Sequence, residues 1–81
     1  MKLKETIQMM ESPDYKERFK AEYFQLEIRY LKLHAMLEKH AQGKLGFTPT
    51  CPISILYEQK LLMDRYLNIL EQRAKIEGIE L

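Results

Sequence analysis

Two long stretches of the chain contain neither proline nor glycine, and they are separated by HAQGKLGFTPTCP at residues 40–52. Because both residues interrupt helices, this arrangement predicts two long helices with a loop between them. We predict helices at residues 13–42 and 52–77 and a loop at residues 43–51. Helices joined by a loop this short fold back antiparallel, so we predict an all-α, antiparallel helical hairpin in a single domain over residues 1–81.

Each predicted helix carries apolar residues at intervals of three and four, the period of one helix face. The first stripe is Tyr15, Phe19, Tyr23, Leu26, Tyr30, Leu33 and Leu37. The second is Ile53, Leu56, Lys60, Met63, Leu67, Leu70 and Ala74, in which only the lysine is charged. Residues 1–11 add a short helical lead-in with Leu3, Ile7 and Met10 at the same period.

The residues at the ends of the predicted helices are typical of helix caps and helix ends. Ser12 is the expected cap of the first helix, with Pro13 in its first turn. Gly43 is expected to end the first helix with a positive φ, and the second helix is expected to end near Gly78. Thr50 or Cys51 is the expected cap of the second helix, and Phe47 is expected to plug the end of the hairpin.

A second apolar line runs along each helix, which a two-helix hairpin alone does not bury. The lines are Phe24, Ile28, Leu31 and Ala35 on the first helix and Ile55, Leu62, Tyr66 and Ile69 on the second. A chain of 81 residues is also too small to bury a large core. Both facts predict packing against the lead-in and against further copies of the chain, that is, a homo-oligomeric helical bundle.

Composition excludes several classes of protein. A net charge of +1 argues against a binder of nucleic acid polymers. There is no apolar run long enough to span a membrane and no signal-peptide pattern after Met1. With one cysteine there is no internal disulfide, so a cytoplasmic protein is expected.

The loop between the helices does not match a nucleotide-binding loop. A phosphate-binding loop needs a glycine, four residues and then Gly-Lys-Ser/Thr after a strand, whereas Gly43-Lys44 follows a helix and lacks that pattern. His34 and His40 lie on different helix faces and cannot share a metal. We find no nucleophile–base pair and expect no enzyme, no metal and no cofactor.

The chain has five tyrosines and no tryptophan, and arginines lie near them along the helices. A tyrosine ring offers a flat face for a base, and a guanidinium fits a phosphate, so together they suit nucleotide binding. The alternative interpretation is that the tyrosines belong to the core and the arginines pair with glutamates.

Residues 14–78 resemble a family of small phage proteins built on a helical hairpin. The matching positions of the first helix are Tyr15, Glu17, Arg18, Glu22, Tyr23, Leu26, Arg29, Lys32 and Leu33. Those of the second helix are Leu56, Gln59, Met63, Tyr66, Leu67, Ile69, Leu70 and Arg73.

The resemblance implies an anti-defence "sponge" that sequesters, without cleaving, the cyclic nucleotide messengers of CBASS or the cyclic ADP-ribose messengers of Thoeris. Tyr15 then matches a tyrosine that stacks on a base, and Arg29 matches a basic residue that meets phosphate. Lys32 and Arg18 are further candidate ligand residues. A second-helix arginine of the relatives falls on Leu67, and Arg65 is the nearest basic residue.

The same resemblance implies a dimer-based assembly, with a hexamer in CBASS-type relatives, acting in the cytoplasm of the infected bacterium. Two other functions remain open from the sequence. One is a helical interaction module that inhibits a bacterial defence complex through its second apolar line, with Ile28 and Ile69 as contacts. The other is a structural phage protein.

Overall fold

The computed structural model describes all 81 residues and contains only helices. A 3-10 helix at Leu3–Thr6 continues into a single α-helical turn, α1, at Ile7–Met10. Two long helices follow, α2 at Tyr15–Ala41 and α3 at Ile53–Glu77. The all-α class and the helical lead-in are therefore confirmed, and the molecule is an elongated body 44 Å in its longest dimension.

The first long helix begins two residues later than predicted because Asp14, not Ser12, is its cap. Asp14 has an extended backbone, and its side chain accepts a hydrogen bond of 2.9 Å from the Lys16 amide. The Ser12 hydroxyl instead accepts from the Asp14 amide at 3.1 Å. Pro13 consequently precedes the helix and does not lie in its first turn.

Gly43 ends α2 as predicted. Its φ of 70° lies in the left-handed region that favours glycine. The amide of Lys44 donates back to the Lys39 carbonyl at 2.8 Å, which satisfies one of the free carbonyls of the last turn.

The second long helix begins at Ile53 with Pro52 as its cap, and no side chain caps it. The prediction of Thr50 or Cys51 as the cap is wrong; the Pro52 carbonyl accepts the first helical bond, from Ile55 at 3.0 Å. Gly78 ends α3 at a φ of 69°, as predicted. The amide of Ile79 then donates to the Ala74 carbonyl at 2.8 Å, and its side chain turns back into the core, where it is buried.

The two predicted stripes face each other and form the core. One buried cluster consists of Phe19, Tyr23, Leu67, Leu70, Ala74 and Ile79. Leu26 and Tyr30 are partly buried and pack against this cluster. Contacts of Phe19 with Arg73 and of Tyr23 with Glu71 show that α2 and α3 run antiparallel. Tyr15 departs from its stripe, since 48% of it is exposed.

Phe47 does not plug the loop end of the hairpin. Its side chain is 59% exposed, so this prediction is wrong. The loop between Ala41 and Ile53 connects the two helices and leaves the Phe47 ring exposed.

The lead-in packs against α2 and makes no comparable contact with α3. Thr6 is fully buried there, and its hydroxyl accepts a hydrogen bond of 2.9 Å from the Gln25 amide nitrogen. Ala21 is also completely buried, consistent with close packing of this part of α2. The lead-in therefore covers part of the side of α2 that faces away from α3. The second apolar line of α3 stays exposed.

None of the helices is both long and apolar enough to cross a membrane.

Candidate functional site

The first turn of α2 places an exposed aromatic ring beside a cation. Tyr15 is the first residue of the helix, and Arg18 follows three positions later, so both lie on neighbouring parts of one surface. The Arg18 guanidinium donates to the Ser12 carbonyl through Nη1 at 2.7 Å. This bond holds the arginine near the start of the helix, and the Tyr15 hydroxyl has no hydrogen-bond partner in the chain.

The middle of α2 carries a second pair of candidate residues, Arg29 and Lys32. They are three positions apart, both are exposed, and neither forms an ion pair or side-chain hydrogen bond. Two cations one turn apart without carboxylate partners make a local positive surface that is available to an anion.

The five predicted site residues do not meet within one chain. Tyr15 and Arg29 are 14 positions apart on one helix, or about 21 Å along its axis. Arg65 is exposed on α3, and its guanidinium also has no ion pair. None of the five lines a cavity of the single chain.

Of the other four tyrosines, three are engaged with other side chains, and the fourth, Tyr57, is exposed without a hydrogen-bond partner in the chain. Tyr23 is buried, and its hydroxyl donates to Glu71 Oε1 at 2.9 Å. Tyr66 donates to Glu22 across the two helices. Tyr30 stacks on His34 with ring centroids 6.1 Å apart.

Tyr23 is the one ionisable group with a strongly shifted pKa. Burial raises the pKa of its hydroxyl well above the ordinary value, and the hydrogen bond to Glu71 and the negative charge of Glu27 raise it further. The neutral Tyr23 hydroxyl, which is hydrogen-bonded in the core, is therefore a structural group and is not free to bind a ligand.

The cleft between the helices is lined by negatively charged side chains, which disfavour a phosphate ligand. It has a volume of about 350 Å³, and three of its lining side chains, Glu27, Asp64 and Glu71, are carboxylates. No basic side chain lines the cleft, so nothing in its lining offsets their charge toward an anion. The cationic candidates all lie on the outside of the hairpin.

An apolar groove lies on the outward side of α3. It has a volume of about 310 Å³, and its apolar lining consists of Ile55, Leu62, Met63 and Tyr66. The sequence pattern identified three of these residues as part of a second apolar line. It did not identify Ile76 as a continuation of that line, although 84% of Ile76 is exposed and the signal, a spacing of seven residues, was present.

The fold and the surface together define a small helical-hairpin protein with its aromatic and basic groups on the outside. The model of the Sequestin family matches residues 13–76, and the chain belongs to that family. The match covers α2, the loop and nearly all of α3, and it confirms the relationship predicted from residues 14–78. The family name denotes sequestration, which is a binding role and not a catalytic one. No curated protein and no solved structure matches the chain.

Proposed function

We propose that this protein binds and sequesters a cyclic nucleotide immune signal without cleaving it. The ligand class is a cyclic di- or trinucleotide or a cyclic ADP-ribose. The observation that carries the proposal is that the Sequestin match spans the helix bearing an exposed Tyr15 and the unpaired cations Arg29 and Lys32. The setting that we propose is the cytoplasm of a bacterium infected by a phage.

In this proposal each candidate side chain has a distinct role. Tyr15 stacks on a base, because its ring is half exposed and its hydroxyl has no partner in the chain. Arg29 and Lys32 neutralise phosphate charge, and Arg18 and Arg65 are further cations on the outer surface. The carboxylate-lined cleft between the helices repels the same phosphates, which favours the outer surface as the binding site.

A separation of about 21 Å between Tyr15 and Arg29 is too large for one chain to bring both groups to the same nucleotide. We therefore propose that a neighbouring copy supplies part of each site. The assembly that we propose is a dimer or a larger oligomer built from dimers, up to a hexamer. Sequestration then needs no nucleophile, only an enclosed site of sufficient affinity.

Calorimetric titration of the protein with cyclic dinucleotides, cyclic trinucleotides and cyclic ADP-ribose isomers tests this function. We expect at least one of them to bind more tightly than about 10 µM, the range in which a protein can deplete a signal by mass action. Replacement of Tyr15 by alanine should weaken that binding about 5- to 150-fold, since stacking of one base contributes about 1–3 kcal/mol.

Tyr57→Ala is the matched control for this titration. Tyr57 is 42% exposed, close to the 48% of Tyr15, and lies on the other helix. The control should bind with unchanged affinity. Absence of binding by the wild type across all of these ligands would reject the proposal, and equal losses in the two variants would reject the role of Tyr15.

One observation favours a second candidate function, a helical module that binds a protein of a bacterial defence complex. The outward side of α3 exposes Ile55, Leu62 and Ile69 by about half each, at 51%, 55% and 53%. If this function holds, a charge at Ile28 or Ile69 abolishes anti-defence activity, while alanine at Tyr15 or Arg29 leaves it intact. The sequestration proposal expects the loss at Tyr15 and Arg29.

A further inference from the structure

A polar anchor fixes the lead-in to α2. Thr6 is fully buried, and its hydroxyl donates to the Leu3 carbonyl at 2.7 Å and accepts from Gln25 Nε2 at 2.9 Å. Gln25 Nε2 also lies 2.8 Å from Met10 Sδ. A 3-10 helix of four residues and a single α-helical turn are too short to be stable alone, so the position of the lead-in depends on these contacts with α2.

The lead-in runs antiparallel to α2. Residues 11–14 reverse the chain before α2 begins at Tyr15. The anchor then joins Thr6, which lies nine residues before Tyr15, to Gln25, which lies ten residues after it. Each step from Thr6 toward the start of the chain therefore leads along α2 toward its middle.

This direction brings the first residues of the chain beside the middle of α2. From Thr6 back to Lys2 the chain advances about 8 Å at the rise of a 3-10 helix, and the same distance on α2 covers about five residues beyond Gln25. Lys2 is therefore level with Arg29 and Lys32. Because Gln25, Arg29 and Lys32 follow one another at intervals of four and three, the anchor and the two cations share one face of α2.

Four cations in this part of the molecule have no ionic partner. They are Lys2 and Lys4 of the lead-in and Arg29 and Lys32 of α2, and we call them the basic surface. All four are exposed, and none forms an ion pair. Lys2 and Lys4 also border an open hollow of about 560 Å³ that no apolar side chain lines. Cations that lie near one another without carboxylate partners attract an anion, and they attract one with several charges most strongly.

We infer that the lead-in supplies two further phosphate-binding residues, Lys2 and Lys4, beside the cations of α2. Thr6 and Gln25 are positioning residues, because they hold the lead-in in place and do not themselves meet the ligand. The ligand chemistry that fits is a diphosphate or two phosphates close together, since four positive charges exceed the single negative charge of one phosphodiester. The inference rests on the proposed function for the identity of the natural ligand, and anion binding at the basic surface is measured separately.

Pyrophosphate is the probe for this surface, because it carries two phosphates and no base. In an amide-resolved NMR titration of the full chain, we expect the signals of all four residues of the basic surface to shift with one common dissociation constant. The signal of Lys44, an exposed lysine in the loop, should not shift. Added sodium chloride should weaken the binding, because salt screens the attraction between exposed charges.

The double variant Lys2→Gln/Lys4→Gln tests the two lysines of the lead-in. It should bind pyrophosphate about 2- to 30-fold more weakly than the wild type, because it loses two exposed ion pairs with the ligand. Lys2→Arg/Lys4→Arg keeps both charges and should bind like the wild type. Lys44→Gln/Lys75→Gln is the matched control: it removes two exposed lysine charges from the loop and from α3, and its affinity should be unchanged.

Thr6→Val tests the anchor, because valine has a similar shape but its side chain cannot bond to Gln25. We expect this variant to bind pyrophosphate as weakly as Lys2→Gln/Lys4→Gln. Combining all three substitutions should cause no further loss, since the lysines act only while the anchor holds them in place. If Thr6 acts only on the general stability of the fold, the losses multiply instead.

The results that overturn this inference are distinct from those that overturn the ligand proposal. Absence of pyrophosphate binding, shifts confined to α2, or an unchanged affinity of Lys2→Gln/Lys4→Gln would each reject a role of the lead-in. An equal loss in the Lys44→Gln/Lys75→Gln control would reject it as well. Failure to bind any cyclic nucleotide rejects the proposed function and leaves these results unaffected. If Thr6→Val unfolds, the variants of the exposed lysines decide the matter, because they leave the packed residues unchanged.

Discussion

The inner and outer surfaces of the hairpin use the same residue types in different ways. Between the helices, Tyr23 is buried and bonded to Glu71, and the Arg73 guanidinium lies 4.8 Å from the centroid of the Phe19 ring. On the outside, Tyr15 is half exposed, and Arg29 has no ion pair. The difference shows that a tyrosine or an arginine acquires its role from its partners, and that the groups not needed for folding are the ones free to bind.

The largest effect that this contrast predicts is on stability. Leu70 is 1% exposed at the centre of the core, so replacement by alanine leaves a cavity. We expect Leu70→Ala to lower the free energy of unfolding by about 2–5 kcal/mol. Urea denaturation followed by circular dichroism measures this change, with Leu61→Ala as the exposed control that changes it by less than about 0.5 kcal/mol.

Equal losses of unfolding free energy in Leu70→Ala and Leu61→Ala would contradict the distinction between a packed inner surface and an exposed outer surface. The result would mean that Leu61 is packed in solution against a surface that the single chain does not contain.

A smaller effect is expected from the buried hydroxyl. Tyr23→Phe removes the hydrogen bond to Glu71 and should lower the free energy of unfolding by about 1 kcal/mol. Tyr57→Phe, whose hydroxyl is on an exposed residue without a hydrogen-bond partner in the chain, should leave the free energy unchanged.

The Tyr23 hydroxyl should also make the free energy of unfolding depend on pH in the alkaline range. The pKa of the Tyr23 hydroxyl is raised in the folded chain, while the unfolded chain releases this proton near the ordinary value of about 10. Above that pH the unfolded state binds fewer protons than the folded state, so stability falls as the pH rises. Urea midpoints between about pH 9 and 11 should therefore decline more steeply for the wild type than for Tyr23→Phe; parallel declines would contradict the assignment.

The smallest effect is expected on the outer surface of α2. Joint replacement of Arg29 and Lys32 by alanine removes two exposed cations without partners, so the free energy of unfolding should change by less than about 0.5 kcal/mol. Thermal denaturation of the double variant beside the wild type checks this. A loss above about 1.5 kcal/mol would assign both residues to the fold and remove them from the ligand proposal.

Much of the fold could be predicted from the sequence because the helical period reports directly on which residues face inward. The predicted stripes form the facing surfaces except at Tyr15, which is half exposed, and Gly43 and Gly78 end their helices. The caps were less predictable, because Ser12, Asp14, Thr50 and Cys51 all have side chains capable of capping and only the local backbone decides between them.

The tertiary details at the hairpin ends depend on contacts that no local pattern reports. Phe47 was expected to be covered and is exposed, whereas Ile79 lies after the helix and still reaches the core. The candidate site shows the same limit. Tyr15 and Arg29 lie on one helix as expected, but α2 holds them about 21 Å apart along its axis, a separation that no local pattern reports.

In the function that we propose, the protein holds a cyclic nucleotide intact. The most direct measurement is to load the protein with the ligand selected by titration, remove free ligand by filtration, denature the protein by heat and identify the released compound by mass spectrometry. We expect release of the unchanged cyclic nucleotide in near-stoichiometric amount. Release of a linear or hydrolysed product, or retention of no nucleotide at all, would contradict it.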